Sequence, residues 1–109
     1  MNNLLYQGNT YQLSIQLTNE NDEIITNEQV EVIEFSFGED LKKNYALDSE
    51  DVVYDEVTQS FIIKLSQVDT FSLKNTISYQ ARIKYNDGSV NCTKQYSAYI
   101  YDAISKVVL

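Results

Sequence analysis

The sequence predicts an all-β protein, an immunoglobulin-like antiparallel β-sandwich of about six to eight short strands with one short helical turn. Apolar and polar residues alternate over several short runs, which is the period-two pattern of half-buried strands. Turn residues separate these runs at intervals of about ten residues. Tyrosine, phenylalanine, isoleucine, valine and threonine, which favour strands, are abundant. A small β-barrel is the alternative architecture for the same pattern.

A single domain spanning residues 1–109 is expected. The chain contains no proline and only three glycines, and no Ser/Gly-rich linker interrupts it. A chain of this length buries roughly two-thirds of the surface that its unfolded form exposes. It therefore needs neither a metal ion nor a disulfide to fold.

The first half of the chain predicts two strong strands. From Thr10 to Leu17, apolar side chains alternate with glutamine and serine, after a turn at Gly8-Asn9. The polar stretch Thr18 to Glu23 predicts a loop, and Ile24-Ile25 is long enough only for a short strand. A second period-two run spans Ile33 to Phe37 and ends at a glycine.

The middle of the chain predicts an irregular surface segment, a hairpin and a helical turn. From Glu39 to Glu50 the residues are mixed and charged, which suggests a surface segment with one helical turn at most. A four-residue loop, Glu56 to Gln59, predicts a hairpin that pairs Tyr54 with Phe61 and Val52 with Ile63. Ser66 to Asp69 has the S-x-x-D form of a capping box, so one short helical turn is expected there.

The clearest hairpin folds about Asp87-Gly88, taken as a two-residue type I′ turn. This register places apolar residues together on one face and polar residues on the other. Cys92 then points inward as a small buried hydrophobe, and Lys94 is a misfit that needs a bulge or a stem reaching the sheet edge. The predicted inward pairs are Tyr85–Val90, Ile83–Cys92, Tyr79–Tyr96 and Ile77–Ala98.

Composition excludes several function classes. The net charge of −8 repels nucleic-acid phosphates and anionic membrane surfaces. No histidine is present, which removes the commonest general base, the Ser-His and Cys-His pairs and most zinc sites. One cysteine gives no disulfide framework, and the sequence shows no signal peptide and no membrane-spanning stretch. We expect no enzyme, no catalytic residue, no cofactor, no nucleic-acid partner and no membrane partner.

Two acidic clusters contain side chains of the kinds found in metal sites and hydrolase sites. Asn19 to Glu23 puts oxygen atoms at alternate positions, as in a weak calcium site, but it lacks the glycine and distal glutamate of an EF-hand loop. Asp48, Glu50 and Asp51 contain the carboxylates that a small hydrolase needs, yet nothing fixes their separation. Solvated surface charge is the favoured interpretation of both, and no metal site is predicted.

Tyrosine is the most informative composition signal, with nine residues. Tyrosine supplies rigid amphipathic area suited to interfaces and to sugar stacking. Tyr99 and Tyr101 lie on the outward face of the last long strand and predict an interface. The segment Asp102 to Leu109 predicts either an edge strand or a docking tail, in which Lys106 and Val108 are further interface candidates.

Six short segments follow one another along the chain: Gly8-Asn9-Thr10, Phe35-Ser36-Phe37-Gly38, Tyr54-Asp55-Glu56-Val57-Thr58, Leu65-Ser66-Gln67-Val68-Asp69-Thr70, Arg82-Ile83-Lys84 with Asp87-Gly88-Ser89-Val90, and Ile104-Ser105-Lys106. Their order resembles small β-sandwich structural modules of phage and prophage tail or baseplate proteins from Gram-positive hosts. The N-terminal part of baseplate upper proteins is one such module. The resemblance spans nearly the whole chain and brings no catalytic residue.

The resemblance implies a noncatalytic virion structural module that contributes to, or docks on, a symmetric tail assembly. Its partners would be other tail or baseplate proteins, and a trimer or hexamer would fit closed rotational symmetry, as would a monomer that oligomerises on its partner. The implied location is the virion tail or the host cytoplasm. The alternative function is a carbohydrate-binding β-sandwich that recognises cell-surface glycans.

Overall fold

The computed structural model describes residues 3–46 and 49–109, and within them it contains nine strands, one short α-helix and one 3₁₀ helix. The α-helix, α1, spans Gln67–Phe71, and the 3₁₀ helix spans Asn27–Gln29. The strands are β1 (Asn3–Tyr6), β2 (Tyr11–Ile15), β3 (Val30–Phe37), β4 (Leu41–Tyr45), β5 (Val52–Asp55), β6 (Ser60–Leu65), β7 (Asn75–Tyr85), β8 (Val90–Cys92) and β9 (Tyr96–Tyr101). Neither described helix is long and apolar enough to cross a membrane.

The strands form two sheets of unequal size. The large sheet has the order β1-β9-β7-β3-β4, with β8 paired to β7 next to the end of β9, and the small sheet has the order β2-β6-β5. Only the β1–β9 pair is parallel among the described strand pairs. The predicted all-β sandwich is therefore confirmed, although the described part has nine strands and includes one parallel pair.

The core lies between the two sheets and is built from alternate residues of each strand. On β3 the predicted alternation holds, since Ile33, Phe35 and Phe37 are buried. From the small sheet, Phe61 and Ile63 are fully buried against them. Burial of these side chains stabilises the fold by about 25 cal/mol per Å² of apolar area removed from water.

Helix α1 closes one end of the sandwich. The predicted capping box is confirmed: the Asp69 backbone N–H donates to Ser66 Oγ over 3.1 Å, and the Ser66 N–H donates to Asp69 Oδ2 over 2.8 Å. Thr70 is fully buried, and its hydroxyl accepts the Gly8 N–H over 2.9 Å and donates to the Asn9 carbonyl over 2.9 Å. These contacts join α1 to the turn between β1 and β2.

The hairpin of β5 and β6 confirms its prediction in full. The loop runs from Glu56 to Gln59, and Tyr54 lies opposite Phe61 and Val52 opposite Ile63. The prediction for 39–50 is wrong for Leu41–Tyr45, which forms β4 at the edge of the large sheet. Lys43 points inward on β4 and breaks the apolar alternation that would have indicated a strand. Ile24 makes only an isolated bridge with Thr18.

The hairpin about Asp87-Gly88 has a different turn from the one predicted. The Gly88 N–H donates to the Tyr85 carbonyl and the Tyr85 N–H to the Ser89 carbonyl, so the loop has three residues, 86–88, and Gly88 takes the positive φ of 91°. A three-residue loop with a left-handed glycine adds one residue relative to a type I′ turn. That residue shifts the nearby register by one and turns the following strand over.

The register shift corrects the prediction for Cys92. Cys92 lies opposite Arg82 instead of Ile83 and is exposed, and Val90 lies opposite Lys84 instead of Tyr85. A break between β8 and β9 restores the predicted register, so the pairs Tyr79–Tyr96 and Ile77–Ala98 are confirmed. The misfit Lys94 lies in this break and is exposed, as a bulge there predicts.

Candidate interaction surfaces

An exposed aromatic patch lies on the outer face of the large sheet, where β1 runs beside β9. The parallel register sets Leu4 opposite Tyr99 and Tyr6 opposite Tyr101. All four side chains point away from the core, and each is between 40% and 56% exposed. We call these four residues the tyrosine patch.

The rings of the tyrosine patch hold one another in place. Tyr6 and Tyr101 stack with their centroids 4.9 Å apart and their planes at 19°. Tyr99 packs edge-on against Tyr101, with centroids 4.8 Å apart and planes at 73°. Such pairs contribute about 0.5–1.5 kcal/mol beyond the area they bury. The three rings of the patch therefore contact one another in the absence of a partner.

The sequence predicted half of this patch. Tyr99 and Tyr101 were expected on an outward face, and the structure places them there. Leu4 and Tyr6 were missed because β1 has two adjacent leucines and no clear alternation, and because its partner strand lies at the other end of the chain. The available signal was the aromatic Tyr6 after two leucines and two residues before a glycine.

The two predicted residues of the C-terminal segment differ in their surroundings. The Lys106 ammonium donates to Oε1 of the buried Gln7, which also accepts the Ala103 N–H. Val108 is exposed and belongs to no strand. The segment 102–109 thus forms no edge strand in the described structure, and its apolar side chains remain in solvent.

The acidic clusters show no ligand geometry among the described residues. The Asn19 Oδ1 accepts the backbone N–H groups of Asn21 and Glu23, so the loop closes on itself. Asp48 lies outside the described residues, and Asp51 is exposed. In 3–46 and 49–109, no group of three or more cysteine, aspartate or glutamate side chains is placed to hold a metal ion.

A groove of about 580 Å³ opens between the sheets along β2. Its wall is the stretch from Tyr11 to Thr18, and its floor is the inner face of the large sheet, where Ala81 and Ala98 are small and Tyr79 and Tyr96 flank them. The rings of Tyr79 and Tyr96 stack with their centroids 5.5 Å apart. Burial, and then the neighbouring Tyr96, raises the pKa of the Tyr79 phenol above its ordinary value of 10.0, so this phenol is neutral.

The groove is uncharged along its whole described lining. Glutamine, serine, threonine and tyrosine side chains supply its polar groups, and none of the described lining residues is aspartate, glutamate, lysine or arginine. This is unusual for a chain with a net charge of −8. The lining can therefore accept a neutral or apolar occupant without desolvating a charge.

A scan against protein-family models gives no match to this chain, and no curated protein matches it.

Proposed function

We propose that the protein is a noncatalytic structural and interaction module of a phage or prophage tail or baseplate assembly, and that the tyrosine patch is its docking surface. The observation that carries the proposal is the contiguous exposure of Leu4, Tyr6, Tyr99 and Tyr101 on one sheet face. Exposed tyrosines are enriched at the centres of protein interfaces, where they combine apolar area with a hydroxyl.

The order of short sequence segments supports the choice of assembly. Those segments resemble tail and baseplate modules, and the chain brings no histidine and no recognisable nucleophile to support an enzyme instead. In this proposal the partners are other tail or baseplate proteins. The protein acts in the virion tail, or in the host cytoplasm before assembly.

Carbohydrate binding is the second candidate, because exposed tyrosine rings also stack on sugars. In the tyrosine patch, however, Tyr6 and Tyr101 stack on each other, so part of each ring face is already occupied. A protein partner, which contacts ring edges and hydroxyls as well as faces, uses such a surface better than a sugar ring does.

The test is a double variant, Tyr99→Ser with Tyr101→Ser, mixed with purified tail and baseplate proteins encoded beside this chain. Sedimentation velocity should show a complex with the unchanged protein and at least a tenfold weaker one with the variant, because hot-spot tyrosines typically contribute about 2 kcal/mol or more. Tyr96→Ser is the matched control, since Tyr96 is equally exposed but lies on the opposite face of β9.

Two results would count against the docking role. Equal binding by the double variant would remove the tyrosine patch from the interface. Saturable binding to cell-wall glycans, lost in the same variant, would favour the carbohydrate-binding module. Circular dichroism melts of each variant separate loss of binding from loss of folding.

A further inference from the structure

We propose that residues 103–109 of one copy of this protein occupy the groove of a second copy, as an extended strand added to the free edge of β2. This inference goes beyond the proposed function, and Leu4 is the member of the tyrosine patch that also lies in the groove lining. It joins two features of one molecule, an uncovered groove and a segment whose larger apolar side chains are exposed.

The first observation is the shape of the groove. The small sheet ends at β2, whereas β9 and β1 of the large sheet continue past it and contribute to the groove lining. The vacant position beside β2 is therefore a place for one more strand, with the large sheet beneath it. The strand residues Tyr11–Ile15 make this edge about 17 Å long, and beyond them the Leu17 carbonyl already accepts the Ile25 N–H over 2.8 Å.

The second observation is that the edge of β2 is unprotected. Natural edge strands are usually blunted by lysine, proline, short length or cover. On the large sheet, β4 carries Lys42 and Lys43, β8 has only three residues, and the Tyr6 N–H of β1 is occupied by the Tyr11 hydroxyl at 2.8 Å. By contrast, residues 11–18 contain no charge, no proline and no glycine.

The shape also restricts the kind of occupant. If the β2 strands of two folded copies paired edge to edge, the large sheet of each copy, which extends beyond its own β2, would occupy the same space as that of the other. An isolated extended segment avoids that collision, because it needs only the width of one strand, about 4.8 Å. Addition of such a strand to a free sheet edge is a general mode of peptide recognition.

This chain contains a segment of the required kind. In residues 103–109, Ile104, Val107, Val108 and Leu109 are all exposed, and none belongs to a strand. Seven extended residues span about 23 Å, which is enough to cover the edge of the five-residue strand β2. In an extended conformation Val107 and Leu109 share one face and Lys106 lies on the other, so the ammonium stays in solvent while apolar groups enter the groove.

Charge favours the same pairing. Residues 103–109 carry one lysine and no acidic side chain, so their side chains contribute +1 and the side chains of the rest of the chain contribute −9. Copies of such a protein repel each other except where one surface is uncharged or oppositely charged. The groove, which has no charged lining residue, and a segment without an acidic side chain meet that condition.

Within its own molecule the segment is held by exchangeable contacts. Gln67 bonds to the Leu109 backbone, accepting its N–H over 2.8 Å, and Gln7 accepts from Lys106 and Ala103. These contacts leave the apolar side chains in water. Transfer to a second copy would create head-to-tail pairing, which closes into a ring or continues as a chain.

The test uses two variants of the full chain and their mixture, measured by size-exclusion chromatography with light scattering across a concentration series. The groove variant is Tyr96→Asp, and the tail variant combines Val107→Ser with Leu109→Ser. The unchanged protein should show mass that rises with concentration. Each variant alone should be monomeric, because each lacks one half of the contact.

The mixture is the decisive sample. The Tyr96→Asp variant keeps an intact C-terminal segment, and the tail variant keeps an intact groove. The two should therefore form a 1:1 dimer that grows no further. Tyr99→Asp is the matched control, because Tyr99 is 46% exposed and Tyr96 is 45% exposed on the same strand but on opposite faces. It should self-associate like the unchanged protein even where it no longer binds tail proteins.

Three results would overturn the proposal: an unchanged protein that is monomeric at every concentration, self-association that survives Tyr96→Asp, or a mixture without the 1:1 dimer. Thermal melts show that each variant is folded. If Tyr96→Asp does not fold, Ser14→Lys on the exposed face of β2 replaces it as the groove variant.

Discussion

The space between the two sheets is filled on one side and open on the other. Beneath β5 and β6, three aromatic rings surround Phe61. The distances from its ring centroid to theirs are 4.9 Å for Tyr54, 5.1 Å for Tyr45 and 6.3 Å for Phe35. Along β2 the same layer opens into the groove, where Tyr96 remains 45% exposed. The closed side is therefore packed like a protein interior, whereas the open side leaves an aromatic ring accessible.

The difference follows from the number of strands in each sheet. Three strands can cover only part of a large sheet in which five strands lie side by side. Large aromatic rings fill the closed side, while two alanines lower the floor of the open side. Substitutions on the two sides should therefore separate into those that lower stability and those that change association.

The largest expected effect is that of Phe61→Ala on the closed side. Phe61 is fully buried and contacts rings from both sheets. Its truncation should lower the free energy of unfolding by about 3–5 kcal/mol, the usual cost of a phenylalanine-sized cavity. Urea unfolding followed by circular dichroism measures this loss. Tyr96→Ser on the open side is the comparison, and a cost as large as that of Phe61→Ala would contradict the division.

Thr70→Val should have the next largest effect, at the end closed by α1. Valine keeps the shape of threonine but leaves the Gly8 N–H and the Asn9 carbonyl without the hydroxyl that joins them. Unpaired polar groups in a buried site cost about 2–3 kcal/mol in total. Thr70→Ser retains the hydroxyl and should cost less in the same urea titration, and equal losses would show that packing matters more than these bonds.

The closed end should also make stability depend on pH. Burial raises the pKa of Asp69, but hydrogen bonds from the Ser66 N–H and from Lys43, whose Nζ is 2.9 Å from Asp69 Oδ2, outweigh it and hold the pKa below its ordinary 3.8. The unfolded state then binds a proton at higher pH than the folded state. This stabilisation is complete above pH 3.8 and is lost as the pH falls through the lowered folded pKa.

Urea midpoints measured from neutral to acidic pH test this linkage. Asp69→Asn should be less stable near neutrality and should lose less stability on acidification. A remaining slope is expected from Asp87, because hydrogen bonds from Ser89 lower its pKa as well. Identical pH profiles for the two proteins would exclude Asp69 as the cause.

Sequence reasoning succeeded where a pattern is local. The β5–β6 register, the alternation of β3 and the capping box of Ser66 each depend on residues close in the chain. It was wrong at the hairpin between β7 and β8, where the number of residues in the turn decides which face each following side chain occupies. The loop at 86–88 has three residues instead of two, and this single residue moved Cys92 from the inner face to solvent.

The rest depends on contacts between distant parts of the chain. Lys43 belongs in a strand because its charge is paired with Asp69, and β1 exists because β9 lies beside it. The groove exists because the small sheet stops at β2. The alternation of apolar and polar residues identifies a strand, but it does not show how many strands join each sheet. Tyr99 and Tyr101 were therefore predictable as exposed residues, whereas their neighbours Leu4 and Tyr6 were not.

The smallest effect on stability is expected from Ser14→Lys on the open side. Ser14 is exposed on β2, and a lysine at an edge strand disfavours the addition of another strand. Unfolding free energy should change by no more than about 0.5 kcal/mol, as for most surface substitutions, while self-association weakens at least tenfold in light scattering. Val53→Lys, on the other edge strand of the same sheet, should leave association unchanged. If both lysines weaken association equally, added charge alone explains the effect, and the edge of β2 has no special role.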